Sequence, residues 1–347
     1  MPEAGDDRLI AGDDVELQPA RSFHGHIDSG WWMHSFSQLR DERRADSDDV
    51  SGADDEIADA DFVATAESDV ADGADLTHIV DESLSETVPI WPSGAEFGTA
   101  LHEILEHTDF AEWRDHDGNV PPESQHLMML ATLRRHALAP PERSKELLRI
   151  VTSLIAATLN VRLPDDLRLA DLALSERRAE LPFYFAIGNA DPARLLSLLQ
   201  EHGYQRRRMD FARLHGRLSG LMTGIIDLVY CHAGRWWLVD YKSNLLGARL
   251  ADYTPAALNR AVHDDEYDLQ YLIYSVALHR WLRQRLGSAY DYERDFGGAC
   301  YLFVRGLRDD ASHGVHIDKP PFALIDALDR LLTPASITPA DREHAHG

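Results

Sequence analysis

The sequence predicts a mixed α/β domain that is helix-rich ahead of its sheet. Three observations carry this: apolar residues recur at helical spacing through residues 94–202, two β-rich runs flank Ala233-Gly234, and a long apolar helical stretch at 266–286 leads into a strand-like run at 299–304. With 347 residues, 44% of them hydrophobic, the chain is long enough for one large folded domain or two small ones.

Taken in order, the stretch from about Asp41 to Glu86 is rich in Asp, Ala and Ser and poor in aromatic residues. Such a composition buries too little apolar surface to offset chain entropy, so residues 1–90 are expected to form an acidic, largely disordered segment. Within it Trp31, Trp32 and Phe36 of GWWMHSFSQLR form an apolar island with no evident local partner. Order is expected from Trp91. Ser93 and Glu96 have capping-box spacing, and Phe97, Leu101, Ile104, Leu105 and Thr108 mark one face of a helix over about 94–108. Helical patterns recur at 123–138, 143–158 and 192–202, separated by breaks such as Ala139-Pro140-Pro141. LPFYFAI near 181 reads as a strand, and 217–243 as two strands joined by a tight turn. The helix at 266–286 is apolar on more than one face, which predicts burial against the sheet. The folded domain is expected over 91–335, with 336–347 a flexible tail, and no internal repeat is present.

Composition narrows the function classes. Cys231 and Cys300 are too few for a disulfide framework or a four-cysteine metal site, which fits a reducing cytoplasm. The N-terminus lacks a basic start followed by an apolar run, and no stretch approaches the ~20 apolar residues of a membrane span, so a soluble, unexported protein is expected. The net charge is −25, but residues 1–90 hold 24 Asp and Glu against 5 Arg, a net of −19, leaving −6 for the remainder. Arg206, Arg207 and Arg208, and again Arg280, Arg283 and Arg285, could lie along a phosphate backbone or could be solvated surface.

The most informative stretch is LMTGIIDLVYCHAGRWWLVDYKSNLLG. If His232 pairs with Arg235 across the Ala233-Gly234 turn, paired numbers sum to 467 and Asp227 falls opposite Asp240, with Cβ atoms ~5 Å apart. Two carboxylates so placed repel unless a proton or cation intervenes, which favours a hard divalent ion such as Mg²⁺. Lys242, two residues past Asp240, points to the same face. Carboxylates, a divalent ion and an ammonium suit phosphodiester hydrolysis, although D-x-K on a strand is also met as an ordinary ion pair. The chain contains three lysines, Lys145, Lys242 and Lys319, and uses arginine elsewhere, so a lysine in an apolar strand calls for a reason.

Five motifs in order resemble the RecB-type nucleases of the PD-(D/E)xK superfamily: Gly98 to His102, Glu180 ahead of LPFYF, Gly224 to Asp227, Asp240-Tyr241-Lys242, and Gln270 to Tyr274. DYKSNLLG, YDLQYLIYSVALHRWL and FGGACYLFVRG are similar to the beta-subunit type of exodeoxyribonuclease V, and the likeness covers roughly residues 91–308. The resemblance implies a restriction-endonuclease-like α/β core, a mixed central sheet flanked by helices with extra N-terminal helices. It implies DNA cleavage in double-strand-break repair at a Mg²⁺ site built from His102, Asp227, Asp240 and the backbone carbonyl of Tyr241, with Ca²⁺ or Mn²⁺ able to substitute in binding. Lys242 would be the catalytic lysine and Glu180 would lie near, with Glu176 as its competitor for that place. Gln270 and Tyr274 would sit on a helix bordering the site, there to bind DNA or simply to pack. The implied partners are linear DNA ends, RecC-like gamma and RecD-like alpha subunits and the RecA recombinase. A helicase motor precedes the nuclease in that family, and residues 28–40 resemble the stretch that follows it.

Other readings fare worse. In HEILEH, His102 and His107 are five apart, whereas a zinc-peptidase helix needs histidines four apart. Two cysteines exclude the four-cysteine iron–sulfur branch of the superfamily, the Cas4-like and AddB-like nucleases, and no lysine stands in a nucleotide-binding G-K-S/T context. A non-catalytic docking module and a stand-alone restriction or repair endonuclease remain the alternatives.

Overall fold

One six-stranded sheet organises the computed structural model, which describes residues 32–35, 87–204 and 218–334. Its strands are β1 (Trp32–His34), β2 (Arg177–Ala190), β3 (Leu218–His232), β4 (Arg235–Lys242), β5 (Phe296–Phe303) and β6 (Val315–Asp318). They lie in the order β2, β3, β4, β5, β6, with β1 pairing Gly220–Met222 near the start of β3. The pairs β1–β3 and β4–β5 are parallel and the others antiparallel. A parallel pair needs a crossover. Helices α5 (Pro255–Asp264) and α6 (Tyr267–Leu286) provide it between β4 and β5.

The β3–β4 register is the one the spacing predicts: His232 pairs with Arg235 and the ladder runs back to Leu228 and Val239. Ala233 and Gly234 have φ of 48° and 78°, the two positive values a two-residue hairpin turn of the favoured hand requires.

Each sheet face carries its own core. On one side α6, with α4 (Pro192–Glu201), the short α7 (Tyr292–Asp295) and α8 (Phe322–Leu332), packs on Leu238, Ala299, Tyr301 and Phe303. On the other, α1 (Ala95–His107), α2 (Glu123–Arg135) and α3 (Ser144–Asn160) cover Leu228, Tyr230, Val239, Cys300 and Leu302. Strand β5 is buried at every residue, as a parallel strand with helices on both faces must be. The expected burial of α6 holds, with Tyr267 through His279 all inside. Among the described residues no single helix is long and apolar enough to cross a membrane.

Several expectations need correction. The helix expected from the Ser93–Glu96 capping box begins instead on Gly94, at φ +97, and no side chain caps it. Helix α2 stops at Arg135, short of 138, because His136 leaves helical angles and Ala137 takes φ +55. The strand near 181 is twice the length of LPFYFAI. The apolar island does find a partner: Trp32–His34 pair with Gly220–Met222, far away in sequence. Trp31, Phe36, the acidic stretch 41–86, Arg206, Arg207, Arg208 and the tail 336–347 lie outside the described residues.

Arg280 and Arg283 are not free for phosphate, since both bind Asp329 of α8, at 2.5 and 2.9 Å. Burial disfavours the Asp329 carboxylate, but the two guanidiniums outweigh it and hold its pKa below the usual range. A depressed carboxylate pKa stabilises above the unfolded value of ~3.9 and loses that contribution as pH falls through the folded value. Asp329→Asn is therefore expected to cost about 2 kcal/mol in urea unfolding at pH 7, less than a fully buried pair because Arg283 is half exposed. The gap should narrow at an acid pH below ~3.9, as the folded carboxylate takes up its proton. An equal gap at both pH values would show that the ion pair is not its source.

Candidate active site

Side chains alternate along a regular strand, yet Ile226 and Leu228 of β3 enter opposite cores, after which Val229 lies on the face of Ile226. Strand β2 switches in the same place. Arg177 lies over Phe110 on the α1 side, at 3.5 Å from the ring centroid, whereas Leu181, Phe183 and Phe185 pack on the α6 side. The pairs Ala179–Leu228 and Leu181–Ile226 keep register on either side of the switch, so Glu180 and Asp227 face one another in the break. Glu180 has φ +46, a backbone conformation costly for a residue with a Cβ and met at functional sites. The ladder between β3 and β4 also ends here, one step short of Asp227 and Asp240. Side chains of the break open into a cleft of about 660 Å³ between α1 and α6.

His102, Glu180 and Asp227 meet in that cleft, with ligand atoms all within 4.8 Å of one another. His102 reaches it from α1, one turn past the buried Gly98. Its Nδ1 lies 3.6 Å from Asp227 Oδ2 and its Nε2 2.8 Å from the Tyr241 carbonyl. Both ring nitrogens thus face acceptors. Burial opposes a charge on the ring, but Asp227 and, behind it, Asp240 prevail and push the His102 pKa up to about 10. Burial and then the charge of Asp227 push Glu180 up to about 7. The Tyr241 amide donates to Asp227 Oδ2 at 2.8 Å, which fixes that carboxylate against the end of β4. An imidazole, two carboxylates and a main-chain carbonyl form a donor set suited to a hard divalent ion. The crowding of the carboxylates, visible in the raised Glu180 pKa, calls for positive charge at this point.

Asp240 and Lys242, next to this cluster, are almost fully buried at 1% and 2% exposure. Their ion pair measures 2.8 Å. Lys242 Nζ also donates to Gln270 Oε1 at 3.1 Å and lies 4.1 Å from the centroid of the Tyr267 ring. Gln270 Oε1 accepts a second bond from the Tyr301 hydroxyl, at 2.9 Å, and its Nε2 donates to Tyr274 at 3.1 Å. Tyr274 meets Phe183 edge-on, and Phe183 covers Gly224, where a Cβ would lie 2.6 Å from its Cζ. The glycine of G-x-x-D thus leaves room for the ring that backs Tyr274.

His102, Glu180, Asp227, Asp240, Tyr241, Lys242, Gln270 and Tyr274 lie in or beside this one cleft. Their grouping differs from the opposed-carboxylate picture. Asp227 joins His102 and Glu180, whereas Asp240 is engaged with Lys242. Glu176 is exposed and accepts from Ala173 N, outside the cluster. Gln270 and Tyr274 do more than pack, since they form the chain of bonds behind the lysine. His107 lines the same cleft but is not in the cluster, and its Nδ1 lies 2.9 Å from the Glu103 carbonyl of its own helix. Tyr267 and Tyr301 were missed. Tyr267 stands three residues before Gln270 on the same helical face, a readable signal. Tyr301 pairs with Asp240 across parallel strands, and parallel register leaves no local mark in a sequence.

Comparison with known proteins agrees with the geometry. Residues 80–335 match the PD-(D/E)XK nuclease superfamily. The chain is 34% identical over 313 residues to RecBCD enzyme subunit RecB of Haemophilus influenzae, covering 89% of this chain and 24% of that protein. Against the RecB subunit of Escherichia coli K12 the identity is 33% over 242 residues, 70% of this chain and 19% of that one. Against that of Mycobacterium tuberculosis H37Rv it is 32%, over 90% and 29% respectively. The chain thus spans about a quarter of the length of these curated relatives.

Gln270→Leu would leave a buried ammonium and a tyrosine hydroxyl without a shared acceptor. It is expected to cost about 2 kcal/mol in urea unfolding, against under ~1 kcal/mol for Tyr274→Phe. Equal costs would mean that Gln270 Oε1 is not the acceptor for Lys242.

Proposed function

The chain belongs to the PD-(D/E)XK nuclease superfamily, and from that membership we propose that it is a Mg²⁺-dependent deoxyribonuclease hydrolysing phosphodiester bonds of linear DNA. The observation that carries this reading is the joining of His102, Glu180 and Asp227 in one cleft with a buried lysine at its edge.

In this reading His102, Glu180, Asp227 and the Tyr241 carbonyl hold the ion, with Asp240 adjoining. Bound there, a divalent cation neutralises charge on a phosphate oxygen and makes water more acidic. The remaining work falls to the chain's own side chains. Asp240 and Gln270 fix Lys242 Nζ, so the ammonium orients the attacking water or meets the negative charge that grows on the phosphate as water oxygen bonds to phosphorus and an ester oxygen departs. The proton that the water loses passes to the departing ester oxygen, directly or through solvent. The amide of Tyr241 keeps Asp227 aimed into the cleft.

The likeness to RecB subunits supports a wider setting in the cytoplasm: DNA ends as substrate, RecC-like and RecD-like subunits as partners, RecA as a further contact, and double-strand-break repair as the process. Residues 91–335 would be the nuclease domain.

Incubation of the chain with linear single- and double-stranded DNA tests the reading. Cleavage is expected in Mg²⁺, none in EDTA, and a loss of about 10³-fold in Lys242→Ala and Asp240→Ala, whose folds should persist by circular dichroism. Full activity in either variant would refute the site. Absence of cleavage by the unaltered chain in both Mg²⁺ and Mn²⁺ would refute a self-sufficient nuclease and favour a docking role.

A further inference from the structure

Arg305 stands two residues beyond the end of β5 and is 2% exposed. A guanidinium is costly to bury unless its donors are filled, and here main-chain carbonyls fill them. Its Nε donates to Ser243 at 2.7 Å, Nη1 to Pro89 at 2.6 Å and Nη2 to Pro92. Its Cζ lies 5.0 Å from the centroid of the Phe97 ring.

These contacts join two pieces of chain that are distant in sequence. Ser243 immediately follows Lys242. Pro89 and Pro92 belong to the segment entering α1, and Phe97 lies in the first turn of that helix, five residues ahead of His102. Gly306 adds to the same junction. A Cβ there would lie 2.3 Å from Tyr253 Cβ, so its absence lets Tyr253 pack close, and the Tyr253 hydroxyl accepts from Leu246 N at 3.1 Å. Arg305 and Tyr253 together hold the backbone that leaves Lys242, and Arg305 extends to the segment entering α1, which is also tied to that stretch further along by the bond from Val88 N to the Ala248 carbonyl, at 3.0 Å.

We propose that Arg305 is a positioning residue that couples the helix bearing His102 to the strand end bearing Tyr241 and Lys242, and so sets the divalent-ion affinity of the site. The inference rests on the nuclease reading. The metal donors come from both coupled pieces, His102 on one side and the Tyr241 carbonyl on the other, with 2.8 Å between them. A shift of α1 against β4 therefore changes the donor set before it changes anything else in the cleft. Lysine cannot replace the arginine, since a single nitrogen cannot serve carbonyls spread around a planar fork.

The test compares the unaltered chain, Arg305→Lys and Asp329→Asn, the last a destabilised control whose ion pair joins α6 to α8 away from the cleft. Hydrogen exchange of the metal-free proteins should show Arg305→Lys losing protection jointly over 95–107 and 240–246, with Asp329→Asn retaining it. Titration calorimetry with Mn²⁺ should show about tenfold weaker binding in Arg305→Lys alone, the scale set by residues that orient metal ligands. If Arg305→Lys fails to fold, Phe97→Leu removes only the ring under the guanidinium and should shift both readouts in the same direction. Lost protection with unchanged Mn²⁺ affinity, or protection lost in one segment only, would overturn the proposal. Failure of the unaltered chain to bind Mn²⁺ would instead refute the nuclease reading, and the metal-free exchange would still decide whether the coupling exists.

Discussion

A strand pair that keeps its register and its alternation can offer any given residue to one face only, and a site that needs side chains from both sides of a sheet must break one of the two. Strands β2 and β3 keep register and break alternation, at Glu180 and Asp227. The price is a left-handed backbone at Glu180. In exchange, both carboxylates open into a cleft that α1 reaches from one face and α6 from the other. Had the alternation continued, one of the two helices would have been shut out, and His102 could not share a cleft with Gln270.

Charge follows from this geometry. Burial and then the charge of Asp227 raise the pKa of Glu180, while Asp227 and Asp240, against burial, raise that of His102 more strongly; as an imidazolium it supplies the positive charge the carboxylates demand. Lys242 is kept apart from this exchange by its own pairing with Asp240 and by the bonds through Gln270 to Tyr274 and Tyr301. The two acidic residues of the hairpin thus have separate partners, although one ladder step brought them near each other. A buried ion pair contributes little net stability when weighed against an apolar replacement, which makes its retention here a matter of placing an ammonium and not of holding the fold.

What could be read from the sequence divides along the same physical line. The hairpin register was legible because a two-residue turn fixes it locally, and Asp227, Asp240 and Lys242 were found by counting from Ala233-Gly234. Five helices were legible from periodicity to within a few residues, apart from ends decided by single backbone angles, such as Gly94 and Ala137, whereas Pro255–Asp264 was not read. Helix α8 shows the same kind of signal in Leu324, Ile325, Leu328 and Leu332 and was within reach. Strand β6 has four residues, too few for alternation to show. The face switch left no trace that counting could detect, because counting assumes alternation. Glu180 came from the resemblance, with Glu176 competing for its place, and it is one of the two residues that the break carries into the cluster. The pairing of Trp32–His34 with β3 and of Tyr301 with Asp240 depends on contacts between distant segments, which only the folded chain displays.

On the proposed reading, the acidity of the cleft has a consequence for substrate entry. Glu103, Glu106, Glu180 and Asp227 all line it, and a phosphate arriving there meets like charge. Glu103 is partly neutralised, since His136 and Arg135 bind it and hold its pKa below the usual range against the effect of burial. Among the described residues the basic group facing Asp227 is His102, whose imidazolium proton and a metal ion would compete for the same nitrogen. Neither DNA alone nor the bare cluster is then favourably placed. The ion reduces the repulsion that opposes the phosphate, and the phosphate adds oxygen donors that favour the ion, so each improves the binding of the other by the same factor.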